Sequence, residues 1–123
     1  MPYIDGFVAA VPTANREAYR AHVERAWPVF EKLGAQALWE CWGDDVPAGE
    51  RTSFPMAVQA KEDETVVFSW TVWPDKATRD AGWAKMMSDP EIGAAIGEMP
   101  FDGKRMIYGG FTPLARLGAP APA

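Results

Sequence analysis

The sequence predicts an α+β sandwich of the ferredoxin-like kind, an antiparallel sheet with helices on one face, which pairs with a copy of itself into a dimeric α+β barrel. Three observations carry this expectation. Strand-like and helix-like segments follow one another as β-α-β-(β)-β-α-β, with the last helical stretch doubled by a short third helix. The chain has 123 residues, and area scaling for that mass takes about 19,600 Å² unfolded to about 6,500 Å² folded, enough burial for one core. The strand segments also hold Phe7, Trp39, Trp42, Phe68, Trp70 and Trp73, more apolar area than one layer of helices covers. A bare apolar sheet of this kind is buried against a second copy, and twofold pairs are the commonest closed oligomer.

Each element has its own signal. Residues 3–11 are β-branched and aromatic and stop at Pro12, which reads as a strand. Thr13 follows as an N-cap. Tyr19, Val23, Ala26, Trp27, Phe30 and Leu33 then recur at steps of three and four, one face of a helix that ends at Gly34. Pro28 lies inside this pattern and predicts a kink, with a break of the helix as the alternative. Residues 36–43 make a second strand, 44–53 a polar loop, 54–60 a short strand, and 65–73 the strongest strand in the chain. In that last strand Val66, Phe68, Trp70 and Val72 form an apolar face, opposite a mixed face of Thr65, Val67, Ser69, Thr71 and Trp73. Asp75 caps a helix through about Ser88, and Asp89-Pro90-Glu91 starts a short one to about Met99. A turn at 100–103 leads into a final strand, 104–112, whose Gly109-Gly110 marks a bulge or a close backbone approach. The domain is therefore expected over 1–114, with 115–123 as a flexible tail.

Composition narrows the function classes. Lys and Arg number 12 against 17 Asp and Glu, for a net charge of −5, and the densest basic group is Lys104-Arg105. A nucleic-acid surface needs clustered cations, so nucleic acid is not an expected partner. No apolar run approaches the ~20 residues of a membrane span, and the N-terminus has no secretion signal. One Cys and one His cannot by themselves form a Cys/His zinc site or an internal disulfide. A lone Cys fits a reducing compartment, so the expected location is cytoplasmic. No cofactor is expected. Phosphate-loop, nucleophile-elbow and zincin motifs do not occur.

The candidate residues follow from their chemistry. His22 is the one side chain that ordinarily titrates near neutral pH, and it borders the apolar stripe of its helix, about 70° from the centre. It reads first as an edge histidine bound to a local acid, second as a proton shuttle or haem ligand, although no second element of a haem site is visible. Asp5 shares a strand face with Tyr3, Phe7 and Ala9, a place that requires a partner, and Arg105 on the last strand is the expected one. Cys41, mid-strand among tryptophans, reads as core filling rather than a nucleophile. Asp44-Asp45 is weak as a hard-cation site. Arg79 and Asp80 open a helix. Asp102 with Lys104 and Arg105 forms a turn able either to clamp an anion or to hold a structural ion pair. Trp39, Trp70 and Trp83 are the expected lining of an apolar pocket between sheet and helices.

Several runs resemble a known family: Tyr3-Ile4-Asp5-Gly6-Phe7, Thr52-Ser53-Phe54-Pro55, Thr65-Val66-Val67-Phe68-Ser69-Trp70, Arg79-Asp80, Ser88-Asp89-Pro90, and the long stretch from Met99 to Phe111. They are similar to the YbaA-like bacterial proteins, the domain-of-unknown-function family numbered 1428, over residues 3 to about 114. The resemblance implies the dimeric α+β barrel group and no settled activity. It departs at Trp83, where the family carries a polar Asn, and in the His22 and Pro28 pairing.

The expected function is a small homodimer that binds a small, partly apolar organic ligand in a sheet–helix pocket. The alternatives are a cofactor-independent oxygenase or isomerase, by analogy of fold alone, and a structural or regulatory protein without ligand. The first two require a pocket of roughly 300 Å³ or more with a few convergent polar groups.

Overall fold

In the computed structural model, which describes residues 1–118, strand β1 (Tyr3–Pro12) occupies the interior of a four-stranded sheet. The others are β2 (Ala37–Trp42), β3 (Glu64–Trp73) and β4 (Ile107–Phe111), and their order is β2-β3-β1-β4. All neighbouring pairs are antiparallel. Four helices join them: α1 (Arg16–Lys32), α2 (Phe54–Ala57), α3 (Lys76–Ser88) and α4 (Pro90–Ile96). The result is an open α+β sheet, not a closed barrel.

The local signals act as their chemistry dictates. Asp75 accepts from the Thr78 amide at 2.7 Å and Asp89 from the Glu91 amide at 2.9 Å, capping α3 and α4. Gly34 takes φ +110° just beyond α1, where a side chain would be strained. Helix α1 runs unbroken through Pro28, which sits on its solvent side. Thr13 opens a short 3₁₀ turn before α1 instead of capping it, and its hydroxyl bonds to that of Thr65 at 2.7 Å. Segment 54–60 is not a strand. Ser53 accepts from the Met56 amide at 3.1 Å and Pro55 sits in the first turn, so the chain winds into α2. Helix α4 stops at Gly97, short of Met99, and β4 starts only at Ile107 because Gly103–Arg105 forms a 3₁₀ turn. The paired glycines mark a close approach: a Cβ on Gly110 would overlap the Tyr3 hydroxyl. The tail expected from 115 lies partly at 119–123, outside the described residues.

Register assigns each strand residue a face. Tyr3, Asp5, Phe7, Ala9 and Val11 align with Trp73, Thr71, Ser69, Val67 and Thr65 of β3, and Leu38, Glu40 and Trp42 of β2 continue the row. This mixed face meets α1 and α3. The wholly apolar face, with Phe68, Trp70 and Trp39, points the other way. The segment after α2 reaches that face, where Val58 packs with Ala10 and Val66 at one end. Cys41 lies half-buried there as well, opposite Phe68, rather than in the core.

Asp5 is the buried joint of the inner face, at 2% exposure. The indole N–H groups of Trp73 and Trp83 donate to Oδ2 at 3.0 and 2.8 Å. Arg79 donates to Oδ1 through Nε at 3.0 Å and Nη2 at 2.8 Å, and its guanidinium lies 5.2 Å from the Tyr3 ring centroid. The expected Asp5–Arg105 pair is therefore corrected: Arg79 is the partner. Ile107 already stands opposite Val8, so continuing the register puts Arg105 near Ala10, toward the Pro12 end of β1 and away from Asp5. There Arg105 donates to Glu64 at 2.7 and 2.6 Å, to Asp102 at 2.9 Å and to the Gln59 carbonyl at 2.9 Å. The Arg105 hydrogen bonds hold the Glu64 carboxyl down from 4.5 to about 2.

Two outcomes follow from these joints. Asp5→Asn leaves Arg79 half-paired beside two indoles and is expected to cost about 3 kcal/mol, since breaking a buried ion pair is strongly destabilising. Chemical denaturation measures it, and an unchanged midpoint contradicts the joint. Glu64 contributes stability in full above about pH 4.5 and loses it as pH falls toward 2, because its folded value lies below its unfolded one. Acid unfolding of Glu64→Gln should therefore be flatter than wild type across that window.

Candidate functional site

Between the inner sheet face and helices α1, α3 and α4 lies a cavity of about 270 Å³. Its walls are apolar and flexible. Phe7, Leu38, Val23, Ala26 and Phe30 line the sheet and α1 sides, and Trp83 comes from α3. Met86, Met87, Met99 and Met106 line it together with Ile96 and Phe101. Methionine adapts its shape to what it touches.

A polar strip crosses this lining, made of Tyr19 and His22 on α1, Glu40 on β2, and Ser69 and Thr71 on β3. Glu40 and Ser69 are cross-strand partners, and Thr71 is two residues along on the same face. Tyr19 and His22 stand three apart on α1, so they share a helix side, with rings 6.4 Å apart. The Tyr19 hydroxyl donates to Glu40 Oε1 at 2.7 Å. His22 Nδ1 and Thr71 Oγ1 find no hydrogen-bond partner among the described residues, although His22 is 9% exposed and Thr71 not at all. Buried polar atoms are normally satisfied, and each exception needs an explanation.

The electrostatics follow from burial. Loss of water pushes the Glu40 carboxyl up, with the Tyr19 and Ser69 hydroxyls pulling in the other direction. Burial pushes the His22 imidazole down, and the charge of Arg25 adds to this. Tyr19 is raised by burial and by Glu40. The Glu40 and His22 shifts have the same leading cause, the loss of water around a charged form. Among the described residues no Lys or Arg lines the cavity, and none of the described ion pairs includes Glu40. On the other side of Tyr19 and Glu40 a surface groove of about 320 Å³ runs between α1 and β2. Its Arg16 stacks over Trp42 at 5.8 Å and its Arg20 pairs with Glu17 and Glu24.

The expected site residues divide accordingly. His22 and Trp83 do line the cavity. Trp39 and Trp70 do not: they stack at 5.5 Å on the outer sheet face, because odd positions of β2 and even positions of β3 point away from the helices. Asp5 and Arg79 form the joint beneath Trp83. Asp102, Lys104 and Arg105 belong to the turn before β4, where Asp102 and Arg105 bond each other and Lys104 is exposed. Asp44 and Asp45 are exposed in the loop after β2. Sequence reasoning missed Tyr19, Glu40, Ser69 and Thr71. The signal was present in the alternation of β2 and β3, where Glu40, Ser69 and Thr71 each stand one step out of phase with the apolar face.

No helix among the described residues is long and apolar enough to cross a membrane. The model of the family described as "Protein of unknown function (DUF1428)" matches residues 2–103. The chain is 55% identical over 111 residues to "Uncharacterized protein YbaA" of Escherichia coli (strain K12), covering 90% of this chain and 95% of that protein. The protein of the same name from Shigella flexneri matches to the same extent. Among solved structures, "De novo designed protein Foldit4" aligns at a TM-score of 0.42 and 12% identity, over 94% of this chain and 98% of that one, a likeness too slight to carry an argument. With most of its length covered by both the family model and these relatives, the chain belongs to the DUF1428 family of proteins of unknown function.

Proposed function

We propose that this protein binds a small, partly apolar organic molecule in the sheet–helix cavity and works as a cytoplasmic homodimer built on ferredoxin-like sandwiches. One observation carries the ligand reading: a cavity with apolar walls holds two buried polar atoms, His22 Nδ1 and Thr71 Oγ1, without partners among the described residues. The half-open cavity, at about 270 Å³, lies just under the roughly 300 Å³ typical of ligand pockets and above the roughly 150 Å³ that suffices for a benzene-sized guest. A few polar groups in an apolar pocket are what fix the orientation of such a guest.

The dimer reading rests on the outer sheet face. Trp39, Phe68, Ile107 and Phe111 are each 42–60% exposed there. Trp39 stacks on Trp70, Trp70 meets Phe68 edge-on, and Phe54 meets Phe68 likewise, which makes a preassembled aromatic surface. A copy packed sheet to sheet would cover that surface and is consistent with the twofold symmetry of most homo-oligomers.

A second reading, proton transfer on the bound molecule without a cofactor, is favoured by the presence of both His22 and Glu40 on the cavity wall with opposite shifts. Recovery of the bound molecule chemically unchanged decides for binding alone.

Nuclear magnetic resonance titration with 3-phenylpropan-1-ol tests the cavity. Amide shifts are expected in α1 and around Ser69 and Thr71, and Ala26→Trp, which fills the cavity, should abolish them. Shifts confined to the outer face overturn the reading. For the dimer, light scattering at micromolar concentration should return twice the chain mass and Trp70→Glu about half of that. A monomeric wild type overturns it.

A further inference from the structure

We propose that the molecule held in the cavity is a cation, a small apolar amine whose ammonium group sits between Glu40 and Thr71 and whose body lies against Phe30 and Trp83. This inference rests on the reading of the cavity as a ligand site and specifies the charge of its occupant.

The polar strip is an acceptor set. A carboxylate accepts only, a neutral imidazole offers one lone-pair nitrogen, and a hydroxyl oxygen accepts as well as donates. Glu40, His22 and Thr71 therefore present three acceptors to one volume, and the latter two have no donor among the described residues. An ammonium group carries three N–H donors and no acceptor. Its hydrogen-bonding inventory complements the strip. A carboxylate ligand, by contrast, would meet Glu40 with no Lys or Arg in the described lining to offset it.

Charge points the same way. Among the described residues Glu40 is the one acid on the cavity wall, and it enters none of the described ion pairs. A carboxylate partly withdrawn from water without a cation is costly, and a bound cation offsets that cost. The cations nearby are engaged elsewhere: Arg16 with the Trp42 ring, Arg20 with two glutamates, and Arg25 with the Ile96 carbonyl at 3.4 Å. The walls add to the preference. Phe30 and Trp83 meet edge to face, 6.1 Å apart, and aromatic faces attract cations.

A matched series decides the matter: 3-phenylpropylamine, 3-phenylpropan-1-ol and 3-phenylpropanoate, titrated into the full-length protein at neutral pH by calorimetry. The amine is expected to bind at least about tenfold tighter than the alcohol, and the carboxylate weakest, as buried charge complementarity requires. In Glu40→Gln the amine should lose its advantage while alcohol affinity stays within about twofold, since Gln keeps the shape and removes the charge. Thr71→Val, nearly isosteric, should weaken the amine more than the alcohol and serves where Glu40→Gln fails to fold. An alcohol or carboxylate that binds as tightly as the amine overturns the cation while leaving the cavity as a ligand site. An amine advantage that survives both variants also overturns it. If none of the three binds, the ligand reading itself falls.

Discussion

The Asp5 carboxylate ties together three elements that would otherwise meet only through apolar contact. It sits on the central strand β1, takes the indole N–H of Trp73 from β3, and takes a guanidinium and a second indole from α3. Four charge-assisted donors on one buried group specify direction as well as distance, which hydrophobic packing alone does not. Helix α3 is thereby placed with Trp83 facing the cavity and Gly82 against the Trp73 ring, where a Cβ would stand about 3.0 Å from the indole. The cavity wall depends on this joint. A second joint, Arg105 with Glu64 and Asp102, fastens the turn before β4 to the start of β3 at the other end of the sheet.

The sheet is inverted relative to a simple amphipathic layer. Its mixed face, with Asp5, Glu40, Ser69 and Thr71, is turned toward the helices, and its aromatic face is left largely uncovered. Both proposals arise from this inversion. Polar groups on the covered side require partners, which Asp5 obtains from the chain, while His22 Nδ1 and Thr71 Oγ1 do not among the described residues. Apolar groups on the uncovered side are what a second copy would bury. Tyr19 and Glu40 border both the inner cavity and the outer groove, so their hydrogen bond divides the two spaces.

Local chemistry made much of the fold legible. Asp75 and Asp89 cap helices because their side chains reach amides two or three residues ahead, and Gly34 ends α1 because it tolerates a left-handed backbone. Segment 54–60 misled because its Phe, Met and Val content resembles a strand, while Ser53 and Pro55 dictate a helical start. Pro28 does not break α1, which continues through it with the proline on the solvent side.

The sequence by itself determined the element order outside segment 54–60, the alternation of faces along β2 and β3, and the surplus of aromatic strand surface. These are properties of neighbours in the chain and of its composition. Only the tertiary structure decided which face of the sheet the helices cover and which arginine meets Asp5. The same holds for the gathering of His22, Glu40 and Thr71 around one cavity. Such choices depend on strand register, and a shift of one residue in β4 or β2 would reverse every side chain in the row. Asp5 and Arg105 satisfied every sequence criterion for a pair, and the pairing of Val8 with Ile107 carries Arg105 toward the Pro12 end of β1, several residues from Asp5.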